Sequence, residues 1–556
     1  MFAKEARHAN HCEQQSGLCG FVWVDIFDLV DELKRIEGDE EAISEAFYKD
    51  LEFGTGGLRG VMEAGSNKIN VYTIRLATQG LANEIADLGD DAKKKGVVIA
   101  FDSRNNSKLF AAETAKVLCA NGIKTYLFDD LRPTPELSFA VRHLGCVRGV
   151  VITASHNPKE YNGYKVYGED GAQIEPETAK KIMSYINSTD IFDDIKTLDT
   201  NNAVIIGKEV DRAYLDAIKA QSTGISIPDD YKVVYTPLHG SGNVPVRTIL
   251  SEIGIKNVFI VPEQELPDGD FPTVQSPNPE NAEAFTIAVE YAKKQDADIV
   301  FGTDPDSDRI GVVVKNSDGE YVTLNGNQTG VLLCDFIMRK SAIPQEPVVV
   351  KTIVTTEMVK AIAENYNARL IDVLTGFKFI GEQIKLLEDQ GCPENYMFGL
   401  EESYGYLKGT YARDKDAVVA SMLIAELAAD CKANGMTLYD KLLELYSKYG
   451  FYLESLETKT LKGIDGQRQI NEIMNKFRTQ QLPFEVLELK DYSKGIDGLP
   501  CSDVLKFFLK GNAWFAVRPS GTEPKIKFYF GVCGTTEEMA KKEMAELRKT
   551  VLCFAG

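Results

Sequence analysis

The chain has no C-x-x-C pair and only five histidines, and its ten cysteines stand singly at 12, 19, 119, 146, 334, 392, 431, 501, 533 and 553. That pattern argues against a zinc site of the usual spacing. It fits free thiols in a reducing, cytoplasmic setting. No stretch reaches the ~18 consecutive apolar residues of a membrane span. Met1 to Gly20 lacks the basic and apolar regions of a signal peptide and is expected to be a poorly ordered extension. Positive charge is also scarce. A net charge of −21 and an isoelectric point near 4.9 argue against sequence-independent nucleic-acid binding, which needs a basic footprint. An acidic chain that handles anionic substrates must concentrate its Lys and Arg locally.

What is present is an ordinary globular composition, 44% hydrophobic and 26% charged over 556 residues. That length suits about four domains at one per ~150 residues. Apolar runs at 96–102, 124–128 and 149–152 alternate with helical patterns at 73–88 and 108–120, an α/β layering with a largely parallel sheet. The alternation restarts at Tyr231 to Tyr235, and again near Val348 to Val350. From about Tyr452 the pattern changes to an α+β unit. The expected fold class is therefore α/β, with three similar mixed α/β units and a C-terminal α+β unit. Joints are expected near 212–228, 320–330 and 447–460. The expected boundaries are an N-terminal extension and helix over 1–45, then domains over 46–220, 221–325, 326–450 and 451–556.

The central stretch is Val150-Val151-Ile152-Thr153-Ala154-Ser155-His156-Asn157-Pro158. A buried strand ends in small and polar residues, which is how an α/β sheet presents a reactive side chain at its carboxyl edge. Pro158 and Asn162-Gly163 are read as turning the chain away. A lone serine is most often an ordinary hydroxyl. A Ser-His-Asp hydrolase is disfavoured because the G-x-S-x-G elbow is missing here, and adjacent residues rarely face each other as nucleophile and base. A phosphoryl-carrying serine would need a cation, a base and phosphate grips elsewhere.

Asp304, Asp306 and Asp308 follow the apolar run Ile299 to Phe301, so carboxylates at i, i+2 and i+4 can converge. Crowded carboxylates need a cation, and hard oxygen donors suit Mg²⁺. An EF-hand fails, because Arg309 and Lys315 stand where Gly and Glu belong. A phosphotransferase with the first Asp as nucleophile remains open for this segment, but leaves Ser155 without a task. The glycine-rich window Gly54 to Gly60 matches neither phosphate-loop spacing, though Arg59 in it could grip phosphate. Thr375-Gly376-Phe377-Lys378 offers a hydroxyl and a cation. Glu401 and Ser403 would point the same way on an extended loop and suit vicinal sugar hydroxyls. Arg413 to Asp416 opens a helix, for which simple capping is the plain alternative. Arg518-Pro519-Ser520-Gly521-Thr522 ends a strand as a phosphate nest.

These five loops, in this order, resemble the α-D-phosphohexomutase superfamily, and within it the phosphoglucomutase/phosphopentomutase-like branch. The resemblance runs from about Leu51 to the end of the chain. It implies a four-domain, heart-shaped enzyme in which phosphorylated Ser155 donates its phosphoryl group to a sugar monophosphate. The resulting bisphosphate reorients, and the serine takes back the other phosphate. It further implies one Mg²⁺ held by Asp304, Asp306, Asp308 and Ser155, with glucose 1,6-bisphosphate as activator. Lys165 becomes the candidate general base/acid, with His156, Arg59 and Lys415 supporting the transferring group and Arg309 lining the same centre. Thr375, Gly376, Lys378, Arg518, Ser520, Gly521 and Thr522 would bind the sugar phosphate, and Glu401 and Ser403 its C3 and C4 hydroxyls. The Glu401-Glu402-Ser403-Tyr404-Gly405 form of the sugar loop resembles the glucose type, which implies glucose 1-phosphate ⇌ glucose 6-phosphate. Pentose and mannose phosphates are the alternatives. A non-catalytic sugar-phosphate-binding relative is opposed by the intact serine, aspartates, Lys165 and phosphate loop. Partners are expected to be small sugar phosphates, with no nucleic acid, no membrane, and a monomeric or dimeric state.

Overall fold

Four β-sheets follow one another along the chain in the computed structural model, which describes residues 24–53, 57–200, 202–461, 463–496, 498–520 and 525–556. The expected extension at 1–20 lies outside the described residues. Helices Val24–Ile36 and Glu40–Phe47 come first. They break where Asp39 caps the second helix by accepting from the backbone N–H groups of Glu41 and Ala42.

The first sheet comprises β1 (Gly57–Val61), β2 (Val97–Phe101), β3 (Thr125–Phe128), β4 (Arg148–Ile152), β5 (Tyr161–Tyr167) and β6 (Val204–Ile206), in the order β1-β5-β4-β2-β3-β6. Strands β4, β2, β3 and β6 run parallel, while β5 and β1 are antiparallel additions. Every residue of β2 is buried, as its unbroken Val-Val-Ile-Ala-Phe run requires of a strand covered on both faces. Asn162 and Gly163 are not a turn but part of β5. The reversal occurs earlier, between Thr153 and Glu160, because residues 161–167 pair in register with both β4 and β1. Gly57 and Gly60 likewise lie in a strand rather than a cradle. A Cβ on Gly57 would sit 2.1 Å from the Tyr164 carbonyl oxygen, so the close β1–β5 approach accounts for that glycine.

The second sheet comprises β7 (Lys232–Thr236), β8 (Asn257–Ile260), β9 (Ile299–Thr303), β10 (Ile310–Lys315) and β11 (Tyr321–Leu324), in the order β11-β10-β9-β7-β8. The third comprises β12 (Val348–Thr352), β13 (Arg369–Val373), β14 (Tyr396–Glu401) and β15 (Gly405–Leu407), in the order β13-β12-β14-β15. The fourth is antiparallel throughout: β16 (Phe451–Thr460), β17 (Val486–Asp491), β18 (Leu505–Leu509), β19 (Trp514–Pro519) and β20 (Lys525–Gly534), in the order β16-β20-β19-β18-β17.

The chain divides into two compact units. Residues 1–211 with Pro267–Pro277 form the first, and Arg212–Leu266 with Asn278–Gly556 the second. No helix among the described residues is long and apolar enough to cross a membrane, and the eight cysteines among them are free thiols.

Within the second unit the third and fourth sheets are joined by an apolar cluster. Ile353, Val354 and Leu374 pack with Val504, Trp514, Ala516 and Tyr529. A buried charge cluster lies beside it. Lys506 donates to the Ile353 carbonyl at 2.7 Å and to Glu357 at 2.7 Å, and Lys351 reaches Glu357 at 3.3 Å and Asp372 at 3.0 Å. Burial alone would raise the Glu357 carboxyl, but Lys351 and Lys506 together hold it at about 2. Burial, and then the like charge of Lys351, lower Lys506 to about 8.

Removing the shared carboxylate leaves buried Lys506 with the Ile353 carbonyl and no carboxylate, and Lys351 with Asp372 alone, whereas removing Lys506 leaves Glu357 paired with Lys351. Glu357→Gln is therefore expected to cost about 3–5 kcal/mol, and Lys506→Met distinctly less, measured by denaturant unfolding at neutral pH. Glu357 titrates lower in the folded chain than in the unfolded one. Its contribution is present above the ordinary carboxylate range and is lost as pH falls through about 2.

Candidate active site

Ser155 sits just past β4, 3% exposed, with a left-handed backbone at φ +55°. That conformation is unfavourable for a residue with a Cβ and persists only where the surroundings impose it. The Ser155 N–H donates to Thr153 Oγ1 at 2.8 Å, and Thr153 Oγ1 donates to Asp102 at 2.6 Å. Asp102 also accepts from Ser107 Oγ at 2.7 Å and from the Arg104 N–H at 3.0 Å. The Ser155 side chain does meet that of its neighbour, although adjacent side chains rarely face each other. Ser155 Oγ and His156 Nδ1 lie 3.1 Å apart.

Arg59, exposed on β1, donates to Asn157 Oδ1 at 3.4 Å. It pairs in register with Gly163, two residues from the half-buried Lys165 on β5. Arg59 and Lys165 therefore share one face of the β1–β5 pair. The first unit thus brings Ser155 and His156 together and ties Arg59 to the same loop through Asn157.

In the second unit β9 and β10 form a hairpin around Asp304 to Arg309. Asp304, Asp306 and Asp308 are buried, and their carboxylates each place an oxygen within 4.8 Å of the others. Asp304 accepts from the backbone N–H groups of Asp308 at 3.1 Å and Arg309 at 3.0 Å. Burial, and after it the charges of Asp306 and Asp308, push Asp304 well above the ordinary carboxylate range, against the pull of Arg309. Three buried anionic oxygen donors so disposed fit a small hard divalent cation that keeps other positions for water or phosphate.

Lys415 is brought to this hairpin, its Nζ 2.7 Å from Asp308. Despite its burial, Asp308, Asp414 and Glu401 raise it, so it stands as a fixed cation. Next to it Asp416 does cap the helix Ala417–Ala433, accepting from Val418 N at 2.7 Å and Val419 N at 3.1 Å. The plain capping reading thus holds for Asp416, while Lys415 faces the acidic loop. Arg309 is ion-paired with Glu280 and lies 3.8 Å from Asp308.

Glu401 ends β14, but the loop after it is not extended. Residues 402–404 form a turn with Tyr404 at φ +66°, because Gly399 to Glu401 pair back onto Gly405 to Leu407 as a hairpin. The strand-alternation argument for Glu401 and Ser403 therefore fails, although the turn keeps Ser403 near enough to Glu401 to pull its carboxyl down slightly. Burial, opposed first by Lys415 and then by Arg309, raises Glu401 to about 7.

Glu402 instead faces inward, accepting from Thr352 at 2.8 Å and Thr355 at 3.2 Å. Gly376, at φ +119°, caps the start of the helix Phe377–Asp389, with Thr375 before it and Lys378 in its first turn. Lys378 Nζ lies over the Phe379 ring. Arg518 is the penultimate residue of β19, and the Ser520 N–H donates to the Lys525 carbonyl at 2.7 Å. Gly521 and Thr522 lie outside the described residues.

Four residues near these groups escaped sequence reasoning. Asp102 and Arg104 hold the serine loop, and Glu280 pairs with Arg309. Lys527 is the cross-strand partner of Arg518 and is lowered by burial and then by Arg518. Only Lys527 left a trace in the sequence, at strand spacing behind the Arg518 loop.

The phosphoglucomutase/phosphomannomutase family models match in order along the chain: alpha/beta/alpha domain I over residues 50–191, domain II over 212–319, domain III over 325–449, and the C-terminal domain over 468–549. The phosphoglucomutase of Staphylococcus saprophyticus is 38% identical over 515 residues, 89% of this chain and 92% of that one. The fold is similar to that of a putative phosphomannomutase from Thermus thermophilus, with a TM-score of 0.69 and 23% identity over 90% of this chain and 99% of that one. It is also similar to pp63/parafusin, a phosphoglucomutase from Paramecium, with a TM-score of 0.67 and 17% identity over 91% of this chain and 96% of that one.

Crowding of the three carboxylates sets the expected response to metal. Asp306→Asn removes one of three buried like charges, so without divalent cation its melting temperature is expected to equal or exceed that of the wild type. Millimolar Mg²⁺ is expected to raise the wild-type midpoint by roughly 2 °C or more through binding to the folded state, and to leave the variant unmoved. A variant that is less stable without metal and still gains from Mg²⁺ would contradict this.

Proposed function

Because the chain belongs to the phosphoglucomutase/phosphomannomutase family and is an enzyme of phosphohexomutase type, we propose that it interconverts α-D-glucose 1-phosphate and glucose 6-phosphate. The route runs through a phosphoserine at Ser155 and a glucose 1,6-bisphosphate intermediate. The observation that carries this reading is the Ser155 loop: a buried serine hydroxyl held in a left-handed turn at the carboxyl end of a strand, beside His156.

In the forward step the bond between phosphorus and Ser155 Oγ breaks, and a bond to the free hydroxyl of the sugar monophosphate forms. Lys165 accepts the proton that this hydroxyl loses. His156 hydrogen-bonds the departing Ser155 oxygen, and Arg59 steadies the loop through Asn157. The bisphosphate turns over, the serine takes the other phosphate, and Lys165 returns its proton to the freed hydroxyl. Glucose 1,6-bisphosphate added from outside phosphorylates the serine and so primes the enzyme. Asp304, Asp306 and Asp308 would hold Mg²⁺, which would supply Lewis-acid polarisation of a phosphoryl group.

A substrate that binds in two orientations must be gripped by what both share. Glu401 and Ser403 take the C3 and C4 hydroxyls, and a carboxyl titrating near 7 both donates to and accepts from them. Arg518 and Ser520, with Gly521 and Thr522, take the phosphate that is not reacting. Thr375, Gly376 and Lys378 contact the sugar phosphate during turnover, and Arg309 and Lys415 balance the charge of the acidic loop.

The test is a coupled assay of wild type and Ser155→Ala with Mg²⁺ and a trace of glucose 1,6-bisphosphate, on glucose, mannose and ribose 1-phosphates. Glucose 1-phosphate is expected to give the highest kcat/KM, and Ser155→Ala to lose roughly 10⁴-fold or more of kcat. A faster reaction with ribose or mannose 1-phosphate would move the substrate assignment. An active Ser155→Ala would remove the serine from the mechanism.

A further inference from the structure

One guanidinium grips the whole serine loop. Arg104, its side chain fully buried, donates from Nη2 to the carbonyls of Ser155 and Asn157, each at 2.5 Å. From Nη1 it donates to those of Pro158 at 2.9 Å and Tyr161 at 3.0 Å. Its Nε lies 3.4 Å from Asp102, the carboxylate that already fixes Thr153 and, through it, the Ser155 N–H. Four carbonyls spread over residues 155–161 are thus tied to a single planar fork, whose rigidity a flexible ammonium cannot reproduce.

The face of that fork is covered from an unexpected part of the chain. Phe271, 1% exposed, stacks over the Arg104 guanidinium at 5.1 Å. It belongs to Pro267–Pro277, which lies between two stretches of the second unit in sequence yet packs within the first. The same segment is fastened around the serine loop at several further points. Ser276 Oγ donates to the His156 carbonyl at 2.6 Å, and Asp270 takes Lys159 at 3.2 Å and Asn105 Nδ2 at 3.4 Å. A Cβ at Gly269 would lie 2.4 Å from both the backbone nitrogen and the side-chain Oδ1 of Asn105, so the glycine lets the strap lie directly against that residue.

We propose that Arg104 is a positioning residue for Ser155, and that the 267–277 strap, through Phe271 and Ser276, is part of the device that holds the serine in its left-handed, reactive pose. This rests on Ser155 being the phosphoryl carrier. A serine that alternates between hydroxyl and phosphate changes its charge by about −1.5 to −2. A loop held only by its own turn would relax between the two states. A loop whose carbonyls are tied to Arg104, and whose His156 carbonyl is tied to the strap, presents the same oxygen in both.

The experiment compares Arg104→Lys, Phe271→Ala and Phe271→Leu with wild type and Ser155→Ala, reading kcat, KM for glucose 1-phosphate and melting temperature. Misplacement of the serine oxygen is expected to lower kcat of Arg104→Lys by roughly 100-fold, with KM within about twofold. Phe271→Ala is expected to lose about tenfold in kcat, and Phe271→Leu to recover most of it. If Arg104→Lys does not fold, the Phe271 pair decides alone. Unchanged kcat in the folded variants, or a loss confined to KM, with Ser155→Ala inactive, overturns the proposal and leaves the serine mechanism standing. An active Ser155→Ala overturns both.

Discussion

Three carboxylates buried within 4.8 Å of one another cannot all remain ionised without compensation, and much of the second unit is arranged around that constraint. Two backbone N–H groups point at Asp304, Lys415 is drawn onto Asp308, and Arg309 is held beside them by Glu280. Such a cluster has the donor set to hold a small divalent cation. The hairpin between β9 and β10 is what makes the arrangement possible, because it returns the chain within a few residues and keeps the acidic loop buried. Glu401, in a hairpin of the same kind, is lifted towards neutrality by the same burial. The second unit therefore offers fixed cations, an acidic cluster that could hold a metal ion, and a carboxyl raised to about 7.

The first unit solves a different problem, that of holding one side chain in a conformation the backbone resists. Ser155 keeps φ +55° because its neighbours on both sides are tied down, Thr153 by Asp102 and residues 155–161 by Arg104. An α/β sheet suits this purpose, since its strands end together and leave their loops at one edge. The antiparallel return through β5 then lays Lys165 alongside β4 and β1. Strain at Ser155 and crowding at the aspartates are both costs that a folded chain carries only where the surroundings enforce them.

Much of this was legible from residue order. The largely apolar runs that became β2, β4, β7 and β12 are read directly from their composition and length, and the i, i+2, i+4 aspartates converge as their spacing allows. What escaped was of another kind. The left-handed φ of Ser155 and the contact between Ser155 and His156 are announced by no residue type there, since Ser is not a residue that favours that conformation. Asn162-Gly163 carries turn chemistry yet lies in β5, because pairing with strands on both sides outweighs local preference. Glu401 and Ser403 meet through a turn rather than along a strand. Arg104 and the 267–277 strap stand far from Ser155 in sequence, and nothing in either segment taken alone marks it as a support for that loop.

The central claim is that the phosphoryl group resides on Ser155 between half-reactions. Its most direct measurement is peptide mapping by mass spectrometry after incubation of the enzyme with glucose 1,6-bisphosphate and Mg²⁺ and removal of free sugar. A single phosphate on the peptide that contains Ser155, lost again on addition of glucose 1-phosphate with formation of the bisphosphate, is the predicted result. Phosphate on a different residue, or an enzyme that turns over while Ser155 is never modified, would contradict it.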